Sequence, residues 1–251
     1  TERKENDLPQ LISGVYNGYT TGTPLCVQFR NENVQSGDYK NIGHFFRPGH
    51  ADFVADKKYK GFNDPRGGGH FSGRLTLAIV AAGVVAKKII SPIYVTAQLI
   101  EVGGSRNLEE TLDNAMKQGD SVGGIVECIA QNMPIGLGEP FFDSLESMLA
   151  HAVFSIPAIK GIEFGDGFRL GKMKGSEAND TYIDNAGNTF TNHSGGINGG
   201  ISNGNQLVFR VAVKPTSSIM KSQLSYHIQK QAVEEIQIQG RHDACIALRV
   251  P

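Results

Sequence analysis

The stretch Leu207-Val208-Phe209-Arg210-Val211-Ala212-Val213-Lys214-Pro215-Thr216-Ser217-Ser218 decides the fold. From Leu207 to Val213 every second residue is large and apolar, and the residues between them include Arg210 and Ala212. This alternation is typical of a β-strand with one buried face. The Lys-Pro-Thr-Ser-Ser segment then ends the strand in a polar turn. The stretch therefore predicts a sheet with hydroxyl groups and one ammonium at a strand end.

Other segments predict further strands and helices around this one. Strands are expected at Tyr94–Val102, Gly124–Ala130 and Val233–Gln239, and helices at Leu75–Ile90, from Asn107 to before Gly119, and at Phe141–Phe154. The first helix is apolar nearly all round, which predicts that it is buried in a layer. Strands separated by long helices without regular βαβ spacing predict an α+β sandwich of helices and antiparallel sheets.

Composition excludes several classes of function. With 251 residues, of which 39% are hydrophobic, the chain can form one large domain or two small ones. A net charge of −1 gives no bulk attraction to nucleic acid or acidic membranes. The longest apolar stretch, Leu75–Ala86, is shorter than the ~20 residues that a transmembrane helix needs. The N-terminus does not read as a signal peptide.

The cysteines indicate a compartment rather than a site. Cys26, Cys128 and Cys245 are far apart and form no Cys-x-x-Cys pair. Neither a zinc site nor a disulfide framework is therefore expected. We expect the protein to be located in the reducing cytoplasm.

Two basic, glycine-containing segments are candidate anion sites. Arg47-Pro48-Gly49-His50-Ala51-Asp52 places a guanidinium and an imidazole on one turn, which suits a phosphate or carboxylate beside a proton donor. The alternative is a surface turn with a capping aspartate. Asp64–Arg74 carries three glycines before a helix and resembles a phosphate cradle, although it is not a P-loop. Its alternative is a flexible connection.

Three later segments carry further polar groups on turns. Paired glycines in Asn192–Ser202 allow the backbone to approach a flat ligand, or form a wide loop. Lys214–Ser218 offers an ammonium and three hydroxyls, or a helix N-cap. Gly240-Arg241-His242-Asp243 adds a cation, a titratable ring and a carboxylate. These groups suit a multiply charged anion beside a polar cofactor.

Taken together, the segments resemble the chorismate synthase family. The stretches that carry the resemblance follow the family's order and cover essentially the whole chain: Arg-Pro-Gly-His-Ala-Asp (47–52), Gly-Asp-Ser-Val-Gly-Gly (119–124), Gly-Leu-Gly-Glu-Pro (136–140), Ser-Ile-Pro-Ala-Ile-Lys-Gly-Ile-Glu-Phe-Gly-Asp-Gly-Phe (155–168), Gly-Gly-Ile-Asn-Gly-Gly-Ile-Ser (195–202), Lys-Pro-Thr-Ser-Ser-Ile (214–219) and Gly-Arg-His-Asp (240–243). The resemblance implies one domain over residues 1–251 with a β-α-β sandwich fold, in which helices pack between antiparallel sheets.

The resemblance also implies a reaction. The family eliminates phosphate from 5-enolpyruvylshikimate 3-phosphate to give chorismate, in the shikimate pathway to aromatic amino acids. It requires reduced FMN without net redox change, and some members reduce that flavin with NADPH. A cytoplasmic homotetramer that binds neither nucleic acid nor membrane is expected.

Residue roles follow from the same resemblance. His50 matches the histidine proposed to protonate the departing phosphate, and Asp243 an aspartate proposed to assist proton transfer at the flavin. Arg47, Arg74 and Arg241 match arginines around the substrate. The positions that match flavin contacts are His70, Phe71, Ser72, Pro157, Ala158, Gly199, Lys214, Pro215, Thr216, Ser217, Ser218 and Arg241.

The sequence departs from the family pattern at several places. His70-Phe71-Ser72 stands where other members have Arg-Ser-Ser, and Pro157-Ala158 where others have Asn-Ala. The family's N-terminal Gly-Glu-Ser-His-Gly motif and C-terminal helix are not in this sequence, and the link from Gly104 to Ser105 is shorter than usual. We therefore expect a longer polypeptide with extra segments at both ends and in this link, which an intact mass measurement tests.

Two other functions remain open on the sequence. A truncated relative could bind flavin or a phosphorylated acid without turnover. A nucleotide-binding regulatory domain is suggested by the glycine-rich loops alone, and the lack of a P-loop or dinucleotide fingerprint argues against it.

Overall fold

The structure is a computed structural model that describes residues 6–31, 44–64, 66–238 and 243–251, without the side chains of residues 66–68. Its α-helices are α1 (Asp52–Lys58), α2 (Thr76–Ile89), α3 (Leu108–Lys117), α4 (Leu145–Val153) and α5 (Gly175–Ala178). Its strands are β1 (Gln10–Ser13), β2 (Val15–Tyr16), β3 (Tyr19–Thr20), β4 (Cys26–Gln28), β5 (Tyr94–Val102), β6 (Gly124–Gln131), β7 (Ile159–Phe164), β8 (Ile197–Asn198), β9 (Ile201–Ser202), β10 (Leu207–Val213), β11 (Gln223–His227) and β12 (Ala232–Ile236). Helices and antiparallel sheets together confirm the predicted α+β class.

The chain divides into two compact units. Unit 1 comprises Thr1–Lys88 and Ser217–Asp243, and unit 2 comprises Ile89–Thr216 and Ala244–Pro251. Among the described residues, no helix is long and apolar enough to cross a membrane.

Unit 2 is built on one four-stranded antiparallel sheet in the order β5-β6-β10-β7. Strand β10 buries every second residue, as its sequence predicts: Leu207, Phe209, Val211 and Val213 are buried, and the intervening residues are partly exposed. The buried side chains pack on β6 partners in register, with Val211 opposite Val126. The sheet therefore buries one face in the core of this unit.

On the other face of the sheet, Arg210 links three strands. It lies opposite Glu127 of β6 and Glu163 of β7. Its Nε donates to Glu127 Oε2 at 3.1 Å and its Nη1 to Glu163 Oε1 at 2.9 Å. Its Nη2 also donates to the carbonyl oxygen of Gly165 at 3.2 Å, at the end of β7. One guanidinium therefore bridges two carboxylates and reduces their repulsion across β10.

Unit 1 holds three small antiparallel pairs, β1-β4, β2-β3 and β11-β12, with α1 and α2. The β11-β12 hairpin holds the segment that leads to Arg47. Phe45 forms an isolated β-bridge with His227, the amide of Ile228 donates to the carbonyl oxygen of His44 at 2.8 Å, and Ser225 Oγ donates to the carbonyl oxygen of Phe46. The hairpin thus fixes the backbone just before the first candidate site segment.

Two helix predictions need correction. Helix α2 forms where it is predicted, yet none of its side chains is buried by the described residues; Val80 is 62% exposed. A largely apolar sequence indicates that a helix is packed against other segments, but it does not identify those segments. The helix expected at Phe141–Phe154 is divided: Phe141–Asp143 is a 3-10 turn, and α4 begins after Ser144, whose Oγ accepts a hydrogen bond from the Ser147 amide at 3.1 Å.

The short link after β5 is a closed turn. The amide of Val102 donates to the carbonyl oxygen of Ser105 at 2.8 Å, and the amide of Ser105 donates to Val102 at 2.9 Å. Gly103 and Gly104, with φ of 55° and 81°, occupy the two central positions. Two positive φ angles in sequence are the conformation that a tight two-residue hairpin turn requires.

Candidate functional site

The Arg47–Asp52 segment is a tight turn that runs into helix α1. The amide of His50 donates to the carbonyl oxygen of Arg47 at 3.2 Å, and Gly49 has a φ of 67°. That angle favours glycine. Ser217 Oγ donates to the carbonyl oxygen of Gly49 at 2.8 Å, so a predicted flavin-contact residue braces the turn.

Within this turn, Arg47, His50 and Asp52 form one hydrogen-bonded cluster. Arg47 Nε donates to Asp52 Oδ2 at 2.6 Å, Arg47 Nη2 to Oδ1 at 2.7 Å, and the Arg47 amide to Oδ2 at 3.1 Å. His50 Nδ1 lies 2.6 Å from Asp52 Oδ1. The Arg47 side chain is 6% exposed, and those of His50 and Asp52 about 20%. Arg47 and Asp52 thus form a bidentate ion pair, and Asp52 of that pair also contacts the His50 ring.

Electrostatics keep the Asp52 carboxyl ionised. Its burial acts to raise its pKa, because burial disfavours the charged form. Hydrogen bonds from Arg47 and His50, together with their positive charges, outweigh that effect and hold the pKa of Asp52 well below its usual range. The cluster therefore contains a fixed anion at neutral pH.

A cavity of about 750 Å³ in unit 1 joins two of the predicted segments. Its lining includes Arg47 and Asp52 from the cluster and His70 and Phe71 from the glycine-rich segment. Aromatic residues, among them Tyr59, form much of its remaining wall. The size suits a small polar ligand. Residues predicted to bind substrate and residues predicted to contact flavin thus share one cavity.

The segment beyond Phe71 presents Ser72 and Arg74. Ser72 Oγ accepts a hydrogen bond from the Arg74 amide at 3.3 Å and caps the 3-10 turn Gly73–Leu75. Arg74 Nη2 donates to Asp7 Oδ1 at 2.6 Å, and the Arg74 side chain is 22% exposed. Its charge is already paired with a carboxylate of the same unit.

In unit 2, the structure joins two predicted flavin-contact segments. The amide of Lys214 donates to the carbonyl oxygen of Ala158 at 2.9 Å. Ala158, preceded by the exposed Pro157, has a φ of 73°, which is unfavourable for an L-residue with a side chain. Strained backbone of this kind is concentrated at functional sites.

Directly after Lys214 and Pro215, Thr216 has an unusual environment. Its carbonyl oxygen accepts a hydrogen bond from Ser121 Oγ at 2.7 Å. Its own Oγ1 is buried and has no hydrogen-bond partner among the described residues. A buried hydroxyl without a partner is costly, which suggests that a ligand supplies one.

Gly199 occupies the turn between β8 and β9. Gly199 and Gly200 have φ of 61° and 88°, as a tight hairpin turn requires. A Cβ at Gly199 would meet nothing within 4 Å, so this position faces open space, whereas Gly200 packs closely on Glu139 and Ser144.

Three predicted site residues, Arg241, Asp243 and Ser218, remain to be placed. Arg241 lies outside the described residues. Asp243 and Ser218 are partly buried in unit 1. The described residues include no group of three histidine, cysteine or acidic side chains placed to hold a metal ion.

Sequence reasoning missed the role of Asp52, which it considered as a helix cap. Ala51 is the N-cap of α1 instead, and Asp52 directs its carboxylate back to Arg47 and His50. The sequence feature that could have predicted this contact is an acidic residue two positions after a histidine on a turn. A second pair, His193 Nδ1 and Asp166 Oδ2 at 2.7 Å in unit 2, was also missed.

Comparison with known proteins identifies what the chain resembles. The family model described as chorismate synthase matches residues 1–251. A chorismate synthase from Chitinophaga pinensis is 62% identical over 252 residues, which cover 100% of this chain and 76% of that protein. One from Korarchaeum cryptofilum is 45% identical over 280 residues, covering 99% and 78%. A crystal structure of chorismate synthase superimposes with a TM-score of 0.70 at 28% identity, covering 83% of this chain and 72% of the other.

Proposed function

Because the chain belongs to the chorismate synthase family and is accordingly a lyase, we propose that it eliminates phosphate from 5-enolpyruvylshikimate 3-phosphate to give chorismate, with reduced FMN bound. The observation that carries this proposal is the Arg47–His50–Asp52 cluster beside a cavity that also exposes His70 and Phe71. It supplies a proton donor and a cation where an elimination of phosphate needs them.

His50 is the proposed acid. Phosphate leaves more readily when a proton is delivered to the oxygen on which negative charge collects. Histidine is the side chain whose ordinary titration lies nearest to neutral pH. His50 retains 19% exposure of its side chain, so a substrate can reach the ring, while Asp52 holds the opposite edge.

Arg47 and Arg74 are the proposed anion-binding residues, since the substrate carries two carboxylates and a phosphate. Two nitrogens of the Arg47 fork contact Asp52, which leaves Nη1 as the nitrogen we assign to the substrate. Arg74 contacts Asp7, so substrate would compete with that carboxylate. The family's third arginine is proposed at Arg241.

The residues of unit 2 fit the phosphate and polar edge of a flavin. The buried, unpartnered Oγ1 of Thr216 needs a hydrogen-bond partner, and a ligand oxygen supplies one. We propose that the residues that contact FMN are Pro157, Ala158, Gly199, Lys214, Pro215, Thr216, His70, Phe71, Ser72, Ser217, Ser218 and Arg241. Held by these residues, reduced FMN would supply transient electron donation and an acceptor for the ring hydrogen, chemistry that side chains do not provide. Asp243 is the proposed proton-transfer partner beside it.

Three broader features are proposed on the same basis. Both units form one chorismate-synthase-like domain, because the family match spans both. The protein is a homotetramer of the cytoplasm, and the widely spaced cysteines accord with that compartment.

The test measures phosphate release from 5-enolpyruvylshikimate 3-phosphate under anaerobic conditions, with and without chemically reduced FMN. We expect release only with reduced FMN, and a roughly 10²–10⁴-fold lower rate for His50→Gln. His151→Gln, which alters an exposed histidine on α4, should be unaffected. Release without reduced FMN, or an unchanged rate for His50→Gln, would refute the proposal. FMN binding without release would instead select the binding-only alternative.

A further inference from the structure

The carboxylate of Asp52 is fully engaged by its neighbours. Oδ1 contacts His50 Nδ1 at 2.6 Å and Arg47 Nη2 at 2.7 Å, while Oδ2 accepts from Arg47 Nε at 2.6 Å and from the Arg47 amide at 3.1 Å. Three of these four contacts come from Arg47, so rotation of the carboxylate would break a charge-assisted fork. Asp52 is therefore held in one orientation before any ligand binds.

That orientation determines the tautomer of His50. An ionised carboxylate can only accept hydrogen bonds, so the Nδ1 atom that lies 2.6 Å from Oδ1 must carry the hydrogen. Arg47 Nη2 lies 3.1 Å from the same Nδ1 and could donate to it only if Nδ1 carried a lone pair, which would then face the carboxylate oxygen at 2.6 Å. Because Nη2 already donates to Asp52 Oδ1 at 2.7 Å, the shorter Nδ1–Oδ1 contact decides the tautomer. The ring nitrogen left for a substrate is consequently Nε2, which carries a proton in the imidazolium and a lone pair in the neutral ring.

The local charge balance permits this arrangement. Asp52 and Arg47 place one negative and one positive charge at 2.6 Å and 3.1 Å from His50 Nδ1, so the pair adds little net charge at the ring. Asp56, Tyr59, Asp64 and His70 are the other titratable groups, among the described residues, that line the cavity beside Arg47 and Asp52. The low pKa of Asp52 accords with a carboxylate that stays ionised while His50 gains and loses its proton.

We propose that Asp52 is a positioning residue of the reaction, which fixes His50 with Nδ1–H toward itself and Nε2 toward the phosphate leaving group. The inference rests on the proposed role of His50 as the acid. It goes beyond that role because part of the rate acceleration then depends on Asp52, a residue that touches no reacting atom.

The first test reads the tautomer directly and needs no turnover. The full-length protein is labelled with ¹⁵N-histidine, and the His50 signals are assigned with His50→Gln. We expect a hydrogen-bearing Nδ1 and an unprotonated Nε2 in the neutral ring, and a loss of this preference in Asp52→Asn. A hydrogen-bearing Nε2 in the wild-type protein would overturn the inference, even if Asp52→Asn failed to fold.

The second test reads the reaction. We expect Asp52→Asn to lower kcat about 10²–10⁴-fold and to change KM less than about threefold, because ground-state contacts to substrate remain. The basic limb of its rate–pH profile should move to lower pH, since the imidazolium loses its anion while Arg47 stays. An unchanged kcat and profile in folded Asp52→Asn would overturn the inference.

A matched control exists in unit 2. Asp166 also contacts a histidine Nδ1, that of His193, at 2.7 Å, and its carboxylate also contacts an arginine, Arg169, at 3.2 Å. Asp166→Asn removes the same kind of pair and should change kcat less than about threefold. If it lowered kcat as much as Asp52→Asn, the effect would be structural and the inference wrong. Wild-type protein without phosphate release refutes the proposed function, while the tautomer measurement still decides the role of Asp52.

Discussion

Replacing Gly165 with alanine should destabilise unit 2 strongly. Gly165 directly follows strand β7 and has a φ of 56°, and a Cβ there would lie 2.0 Å from the carbonyl oxygen of His193 and 2.5 Å from the amide nitrogen of Gly195. Both contacts are with backbone, so no side chain can rotate away. The loop that carries His193 would have to move off the sheet.

The structure separates two contributions to this effect. The left-handed conformation costs an L-residue about 1–2 kcal/mol. Displacing the loop adds about 1–3 kcal/mol of packing strain and weakens the 2.8 Å bond from the Asp166 amide to His193. We expect a loss of about 4 kcal/mol in the free energy of unfolding, which lowers Tm by about 10 °C for a chain of this size.

Two other glycines of unit 2 serve as controls. Gly104 has a φ of 81° but open space around its Cβ position, so Gly104→Ala should show the conformational cost alone, about 1–2 kcal/mol. Gly171 has open space without a positive φ, so Gly171→Ala should be neutral or stabilising by up to about 1 kcal/mol. Thermal unfolding followed by circular dichroism ranks the three variants. A Gly165→Ala Tm within about 2 °C of that of Gly104→Ala would contradict the backbone clash.

Three further predictions concern single side chains. Thr216→Val should weaken FMN binding about fivefold in a fluorescence titration, with Thr216→Ser close to wild type, because the lost hydroxyl is the proposed hydrogen-bonding group. The free energy of unfolding measured in urea should be higher for wild type than for Asp52→Asn by a constant amount above about pH 5, and this difference should shrink below about pH 4. The reason is that a carboxyl group with a lowered pKa stabilises the fold only while it is ionised. A difference that grows in acid would contradict this prediction. Arg210→Met should lower the free energy of unfolding by about 1–2 kcal/mol, since Glu127 and Glu163 then repel each other across β10, and about 0.5 M NaCl should reduce this loss.

The sequence predicted the sheet of unit 2 well because each strand pattern is local. Strand β5 matches its predicted bounds, Tyr94–Val102, and β10 shows the predicted alternation of buried residues. Helix α3 ends at Lys117, before Gly119 as predicted. These features depend on the period of apolar residues and on glycine as a terminator, which neighbouring residues alone determine.

The environment of each side chain was harder to predict. The residues around Arg47 do not by themselves show that its guanidinium is paired with Asp52, because the turn that brings the two together is also braced by Ser217, 168 positions from Gly49. The exposure of α2 was likewise unpredictable, since burial depends on what other segments cover. The resemblance supplied the names of candidate residues, whereas the structure supplied their hydrogen bonds.

Unit 1 is made of two chain segments that are synthesised far apart in time. The bond from Ser217 Oγ to Gly49 spans 168 positions, and the bond from Ser225 Oγ to Phe46 spans 179. All four strands of the unit 2 sheet leave the ribosome before Ser217 does. That sheet can therefore assemble during translation, while the turn that carries His50 waits for the β11-β12 hairpin. Closing so long a loop is slow, so the turn that carries His50 should be among the last parts of the nascent chain to become ordered.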